Sequence, residues 1–217
     1  MGTITGIESS SKNPNRVVVR LSSGRPLALW ADVAAGLRVG QDLSDADTDR
    51  LGKAEATEDA YQRALRFLSF RSRSEAEIRQ HLQKRGVGVD SVELVMGRLR
   101  SSRLADDGRF ARTWVENRAT FRPRSRRALA WELRHKGISA GEIEKALQDV
   151  DDANMALQAG LQYAHRLRNN PWPDFRRKLY AYLARRGFTS AVIGTAVARA
   201  WRETTEGRPI LEDKEVP

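Results

Sequence analysis

Leu82-Gln83-Lys84-Arg85-Gly86-Val87, Leu133-Arg134-His135-Lys136-Gly137-Ile138 and Leu183-Ala184-Arg185-Arg186-Gly187-Phe188 are three versions of one signature, with glycines 51 and then 50 residues apart. The likeness extends outward from each glycine. Eight positions before it stand Ile78, Leu129 and Leu179, and four before it Leu82, Leu133 and Leu183; six after it stand Val92, Ile143 and Ile193, and ten after it Met96, Leu147 and Val197. Residues four apart share a helix face, and glycine favours the left-handed position just past a helix end, so each signature predicts helix, glycine stop, helix. A further amphipathic stretch precedes each pair, over 60–70, 109–118 and 153–167, which makes the repeat a three-helix unit. Capping boxes at Ser74-x-x-Glu77 and Ser139-x-x-Glu142 mark two of the helix starts.

The fold class that follows is mainly α: tandem three-helix repeats at 58–105, 106–151 and 152–204, expected to stack into an elongated array because so short a unit has a limited core of its own. Residues 1–57 carry different signals. Ile4–Ile7, Arg16–Leu21 and Pro26–Leu29 are rich in β-branched and apolar residues, and turns are supplied by Asn13-Pro14-Asn15 and Ser22-Ser23-Gly24. They predict a small β-meander or hairpin, followed by short helical segments punctuated by Gly36 and Gly40 and leaning on the helices beyond. Residues 205–217, acidic and holding Gly207, Pro209 and Pro217, are expected to be a frayed tail.

The 217 residues include 38 Lys or Arg and 28 Asp or Glu, a formal charge of +10. The isoelectric point is near 10.5 and the mean hydropathy −0.58. The excess charge is uneven: seven basic residues balance seven acidic ones in 1–57, whereas the three repeats carry net +4, +2 and +6 in chain order. Such a balance predicts an anionic partner. No apolar run approaches the roughly 18 residues that cross a bilayer, and the N-terminus has no secretion signal, so a cytoplasmic monomer is the expectation.

Catalysis finds little support. The absence of cysteine removes disulfides, thiolate metal sites and a Cys nucleophile, and His81, His135 and His165 form no metal-binding pair. There is no phosphate-cradling GxxxxGK[ST] loop and no GxSxG elbow; Gly86-Val87-Gly88 lacks the final glycine of a dinucleotide fingerprint. The adjacent acids Asp106-Asp107 and Asp151-Asp152 stand where first helices begin, so helix-terminal stabilisation is favoured over a magnesium site. Neither enzymatic activity nor a metal or cofactor is expected.

Basic clusters are more informative. Arg122, Arg124, Arg126, Arg127, Arg134 and Lys136 lie at the start and along the second helix of repeat two, and Arg176, Arg177, Lys178, Arg185 and Arg186 occupy the same helix of repeat three. Repeat one offers Arg71, Arg73, Arg79, Lys84 and Arg85. A basic middle helix in each repeat predicts a positive stripe that suits a nucleic-acid backbone or an acidic protein groove, against the plainer reading of solvated helix faces. The aromatics Phe110, Trp114, Tyr180 and Trp201 fall at core spacing, while Phe121 and Trp172 lie in loops and are the candidates for exposed contacts.

These residues resemble the bacterial RecX regulators of the RecA recombinase. The resemblance rests on Ala64-Leu65-Arg66-Phe67-Leu68, Arg73–Ile78 and Leu82-x-x-Arg85-Gly86. Its most specific part is Leu104-x-Asp106-Asp107-x-Arg109-Phe110-Ala111-x-x-Trp114-Val115, and Glu132-Leu133-Arg134-x-Lys136-Gly137-Ile138 follows. It covers about 58–204. Where the family carries a glycine just before the Leu-x-Asp-Asp run this chain has Ser102-Arg103, and the loop before the second helix of repeat two is Phe121-Arg122-Pro123-Arg124-Ser125 rather than glycine-rich.

The resemblance implies a curved, non-enzymatic arm that binds in the groove of the RecA–DNA filament and suppresses ATP hydrolysis, strand exchange and co-protease activity, and so modulates recombinational repair and the SOS response. It also implies weaker, salt-dependent binding to single- or double-stranded DNA. The basic residues of repeats two and three would then make the contacts, with Asp106, Asp107, Phe110, Trp114, Gly86, Gly137 and Gly187 mainly structural. A basic helical DNA-binding protein acting without RecA is the alternative that the same charge allows.

Overall fold

The computed structural model describes residues 2–205 except Lys12; the tail expected at 205–217 lies, apart from its first residue, outside them. The elements run β1 (Gly2–Ser9), β2 (Arg16–Leu21), β3 (Leu27–Trp30), α1 (Ala31–Ala34), β4 (Asp42–Leu43), α2 (Asp45–Ser69), α3 (Glu75–Gln83), α4 (Val89–Ser101), α5 (Asp107–Phe121), α6 (Arg126–His135), α7 (Ala140–Leu147), α8 (Asp152–Ala164), α9 (Trp172–Ala184) and α10 (Ser190–Thr205). A 3-10 turn at His165–Leu167 extends α8. The chain divides into two compact units, one over Met1–Asp106 and the other from Asp107 onward.

In the first unit the strands form a four-stranded antiparallel sheet in the order β3-β2-β1-β4, one strand more than the sequence predicts. The extra strand, Asp42–Leu43, is two residues long and pairs only with Gly2 and Thr3, too short to leave a periodic signal. Ile4, Val19, Leu29, Ala34 and Leu43 make a small core, and Leu51 of α2 packs on it. Helix α2 begins at Asp45 under a complete Ser44/Asp47 capping box and runs without a break through the boundary expected at 57/58. Alanine is its commonest residue, Leu, Arg and Glu add further good helix formers, and its single Gly52 costs too little to stop it.

The sheet is fastened to α2 by a polar cluster. Glu55 Oε2 accepts from the Trp30 backbone N–H at 2.7 Å, Asp59 Oδ1 accepts from Trp30 Nε1 at 3.1 Å, and Arg16 pairs with both carboxylates. Repeat one then buries Ile78 and Leu82 of α3 against Val92, Val95, Met96 and Leu99 of α4 and Ala60 and Ala64 of α2. The Ser74/Glu77 capping box starts α3 as the sequence predicts, and Ser139 Oγ accepts from the Glu142 N–H at the start of α7.

The second unit holds repeats two and three around one continuous core. Phe110, Ala111 and Val115 of α5, Leu129 and Leu133 of α6, Phe175, Leu179 and Leu183 of α9 and Ile193, Val197 and Ala200 of α10 belong to it. The two repeats also meet through polar contacts: Gln162 Nε2 donates to the Thr120 carbonyl at 3.3 Å, and a second set lies at the start of α6. The backbone N–H of Ser125 donates to the Arg186 carbonyl at 3.2 Å. Arg126 donates its backbone N–H to Asp152 Oδ1 of repeat three at 2.6 Å, while its guanidinium donates within repeat two to the Leu147 carbonyl, also at 2.6 Å. At that junction Gly187 has φ +90°, and a Cβ there would stand 2.6 Å from Ser125 Oγ, the atom that caps α6, and 3.0 Å from Ala128 Cβ.

Gly86, by contrast, has φ +78° with open space around it. Gly86→Ala therefore costs only left-handed strain, about 1 kcal/mol, whereas Gly187→Ala adds overpacking and costs about 2–4 kcal/mol in a urea titration. Arg103 stands where the family's glycine is expected and is the one non-glycine among the described residues with a left-handed φ, +55°. Comparing Arg103→Gly with Arg103→Ala isolates the backbone, and the glycine variant is expected to be more stable by about 1 kcal/mol.

Candidate basic interface

Helices α6 and α9 carry most of the basic residues singled out in the sequence, and the Ser125–Arg186 contact brings the start of α6 against the end of α9. Arg134 and Lys136 sit at the far end of α6, and Arg176, Arg177 and Lys178 toward the start of α9, each removed from the junction by up to about 15 Å of helix at 1.5 Å per residue. The second helices of repeats two and three are thus joined end to start.

Their cations differ in freedom. Arg122, Arg127, Arg134, Arg176 and Arg185 are exposed and have no ion-pair partner among the described residues. Arg177 pairs with Asp174 at 2.8 Å. The Asp174 carboxyl is held below its ordinary pKa by the Arg177 hydrogen bond, with the Arg177 and Lys178 charges adding to it. Three others serve the fold: Arg126 caps the end of α7, Arg124 lies 3.0 Å from Glu132, and the Arg186 guanidinium sits 4.1 Å over the Tyr182 ring.

Repeat one departs from the expected stripe. Arg71 pairs with Glu77, Arg79 with Glu75 and Glu93, and Arg100 with Glu75 again. The cause is local: the positions of Glu75 and Glu77 are held by Arg126 and Ala128 in repeat two and by Arg176 and Lys178 in repeat three. Of the five cations expected there, Arg71 and Arg79 are neutralised, while Arg73 lies over Phe67, Arg85 bonds His81, and Lys84 has no ion-pair partner among the described residues.

A layered contact recurs in all three repeats that sequence reasoning missed. A ring on the first helix meets the residue five before the glycine: Phe67 with His81 at 3.7 Å between centroids, Trp114 with Glu132, and Tyr163 with Tyr182 at 4.0 Å. The cation just before the glycine completes it. Arg85 Nη1 donates to His81 Nδ1, Lys136 Nζ lies 5.3 Å over Trp114, and Arg186 lies over Tyr182. Because His, Glu and Tyr differ in type, no pattern of like residues announces the position.

Glu132 is the centre of the version in repeat two. It is 9% exposed, accepts from Trp114 Nε1 at 2.7 Å and Arg118 Nε at 2.8 Å, and has Arg124 at 3.0 Å. The two guanidinia offset the cost of burying the carboxylate. The aromatic expectations divide. Phe110 is buried and Trp201 packs on Phe175. Tyr180 is exposed instead of core, because Phe175, Leu179 and Leu183 already define the inward face of α9; its hydroxyl donates to Ser190 Oγ at 2.8 Å. Phe121 and Trp172 lie in helices rather than loops, as the last residue of α5 and the first of α9; Phe121 is 71% exposed and Trp172, beside Trp201, is as exposed as Tyr180. Trp131, not singled out in the sequence, is 58% exposed against His135.

The paired acids behave as helix starts. Asp107 opens α5, Asp151 Oδ1 accepts from the Ala153 N–H, and Asp152 holds Arg126. Among the described residues no three His, Asp or Glu side chains converge on a metal position, and no helix is long and apolar enough to cross a membrane.

Three family models match the chain in tandem: the first RecX three-helix domain at 60–99, the second at 106–147 and the third at 150–197. The chain belongs to the RecX family. Its relatives include the regulatory protein RecX of Geobacillus thermodenitrificans, 30% identical over 95% of this chain and 80% of that protein. That of Prosthecochloris aestuarii is 34% identical over 70% of this chain and 93% of its own length. A crystal structure of a regulatory protein RecX superposes with a TM-score of 0.74 at 25% identity, covering 90% of this chain and 98% of the other. The chain is accordingly a RecX-type regulatory protein.

Removal of the Glu132 carboxylate tests the buried cluster. Glu132→Ala strands the Trp114 N–H and two guanidinia and is expected to cost about 3–5 kcal/mol in urea unfolding, while Glu132→Gln, which keeps an acceptor, loses less.

Proposed function

We propose that the protein is a non-enzymatic regulator that binds the RecA–DNA filament in its groove and suppresses ATP hydrolysis, strand exchange and co-protease activity. The observation that carries this reading is the set of exposed guanidinia along and at the ends of α6 and α9 without an ion-pair partner among the described residues, in a chain of the RecX family whose two helices are joined where Ser125 contacts Arg186. Arg122, Arg127, Arg134, Arg176 and Arg185 are the primary contacts, with Arg177, Lys178 and Lys136 beside them. Arg124, Arg126 and Arg186 act by holding that surface in place. Each exposed pair contributes little, about 0–1 kcal/mol, so affinity comes from many contacts made at once along the filament.

The test is ATP hydrolysis by the cognate RecA on excess single-stranded DNA at near-physiological salt, with the protein titrated from far below one copy per RecA. Hydrolysis is expected to fall while bare DNA remains in excess. Reversing Arg176, Arg177 and Lys178 to Glu, with circular dichroism and unfolding midpoint unchanged, is expected to weaken inhibition at least tenfold. Inhibition only when the DNA is covered would support a DNA-binding protein acting without RecA.

A further inference from the structure

An open cavity of about 540 Å³ lies in the first unit and is lined by Asp59, Arg63, Arg66, Phe67, Phe70, His81 and Arg85. Its size suits a single small ligand. Phe70, just past the end of α2, is 83% exposed, so about 1–3 kcal/mol of stacking energy is available on a ring whose exposure gains the fold nothing. Phe67 is different: His81 lies 3.7 Å from its centroid and the Arg73 guanidinium 4.1 Å. Two groups that close cannot share one face, so both faces of Phe67 are taken and it serves as a wall.

The wall is charge-neutral where it meets the cations. The Arg85 guanidinium can only donate, so His81 Nδ1 accepts at 3.1 Å and the ring proton sits on Nε2. Burial, with Arg85 and Arg73 adjacent, holds the His81 imidazole below its ordinary pKa. The acidic member of the lining, Asp59, is committed to Trp30 Nε1 and Arg63. Arg66, one turn before Phe70, is exposed and has no ion-pair partner among the described residues.

We infer that this cavity is a binding site for one unstacked nucleotide of a single strand, its base on Phe70 and its phosphates on Arg66, Arg63 and Arg85. An isolated carboxylate would satisfy a guanidinium and leave the phenyl ring wet; a nucleotide brings a flat apolar ring and an anion a few ångströms apart, and so answers both features. Bases in a duplex already have both faces covered, which restricts the site to single strands. The site stands apart from the filament reading, since it uses other residues in the other unit and requires no recombinase.

The experiment is fluorescence anisotropy of a short fluorescein-labelled oligo(dT) with the full chain, over a salt series and without RecA. Phe70→Ala, at a position too exposed to disturb the fold, is expected to weaken binding about five- to 150-fold. Phe70→Trp is expected to keep the affinity, and the emission it adds to be quenched by oligo(dT). Arg66→Gln is expected to lower the slope of log affinity against log salt by about 0.7, the share of one single-strand phosphate. Parental binding by both Phe70→Ala and Arg66→Gln would overturn the assignment, as would equal competition by duplex DNA. Unchanged oligo(dT) binding with lost inhibition of RecA hydrolysis would assign the cavity to a protein partner instead.

Discussion

The second unit depends on the left-handed turn at Gly187. That conformation ends α9 and aims the Arg186 carbonyl at the Ser125 N–H, while the missing side chain leaves room for the Ser125 hydroxyl that caps α6. Three requirements meet at one residue, and only glycine satisfies all of them. Because α6 starts where α9 stops, the inward faces of both helices can feed one core, and neither repeat has to sustain a core alone. The short length of a three-helix repeat makes that sharing valuable, since small units bury too little surface to be stable by themselves.

The charge distribution follows from the same frame. Wherever a basic side chain lies at a junction it has been drawn into the structure: Arg126 caps α7, Arg124 and Arg118 hold the buried Glu132, and Arg16 joins the sheet to α2. What remains outside is a smaller set of guanidinia than the composition suggests; α6 and α9 and their ends carry several of them, and Arg66 of α2 is another. In repeat one, Glu75 and Glu77 neutralise the equivalent helix and leave a cavity at its far end whose aromatic and basic lining differs from the surface of the second unit. The two units thus differ in surface chemistry, with exposed cations along α6 and α9 in one and an exposed phenyl ring beside arginines in an open cavity in the other.

The layered contact shows how the repeats diverged without losing the frame. The partner of the first-helix ring is His81, Glu132 or Tyr182, and the chemistry changes from neutral stacking to a buried ion cluster to a tyrosine pair. Each still ties the first helix to the second, and each keeps a cation on the layer, hydrogen-bonded to His81 in repeat one and over a ring in the other two. Packing direction is preserved although the residue types are not.

The sequence by itself determined the three glycine stops, the helix faces around them, the strand-rich N-terminus, the helix-starting role of Ser74, Ser139 and Asp151, and the family. Each is written in spacing or in a short local motif, because a helix face repeats every 3.6 residues and a cap needs only its own first turn. The two-residue strand β4, the unbroken run of α2 and the exposure of Tyr180 were not legible, since each turns on a pairing or a competing inward residue elsewhere in the chain. Above all, sequence cannot say which of many arginines is spent. Arg124 and Arg127 are equivalent in composition, yet one faces the buried Glu132 and the other has no ion-pair partner among the described residues, because a long flexible side chain finds its counter-charge only once tertiary packing has put a carboxylate within reach.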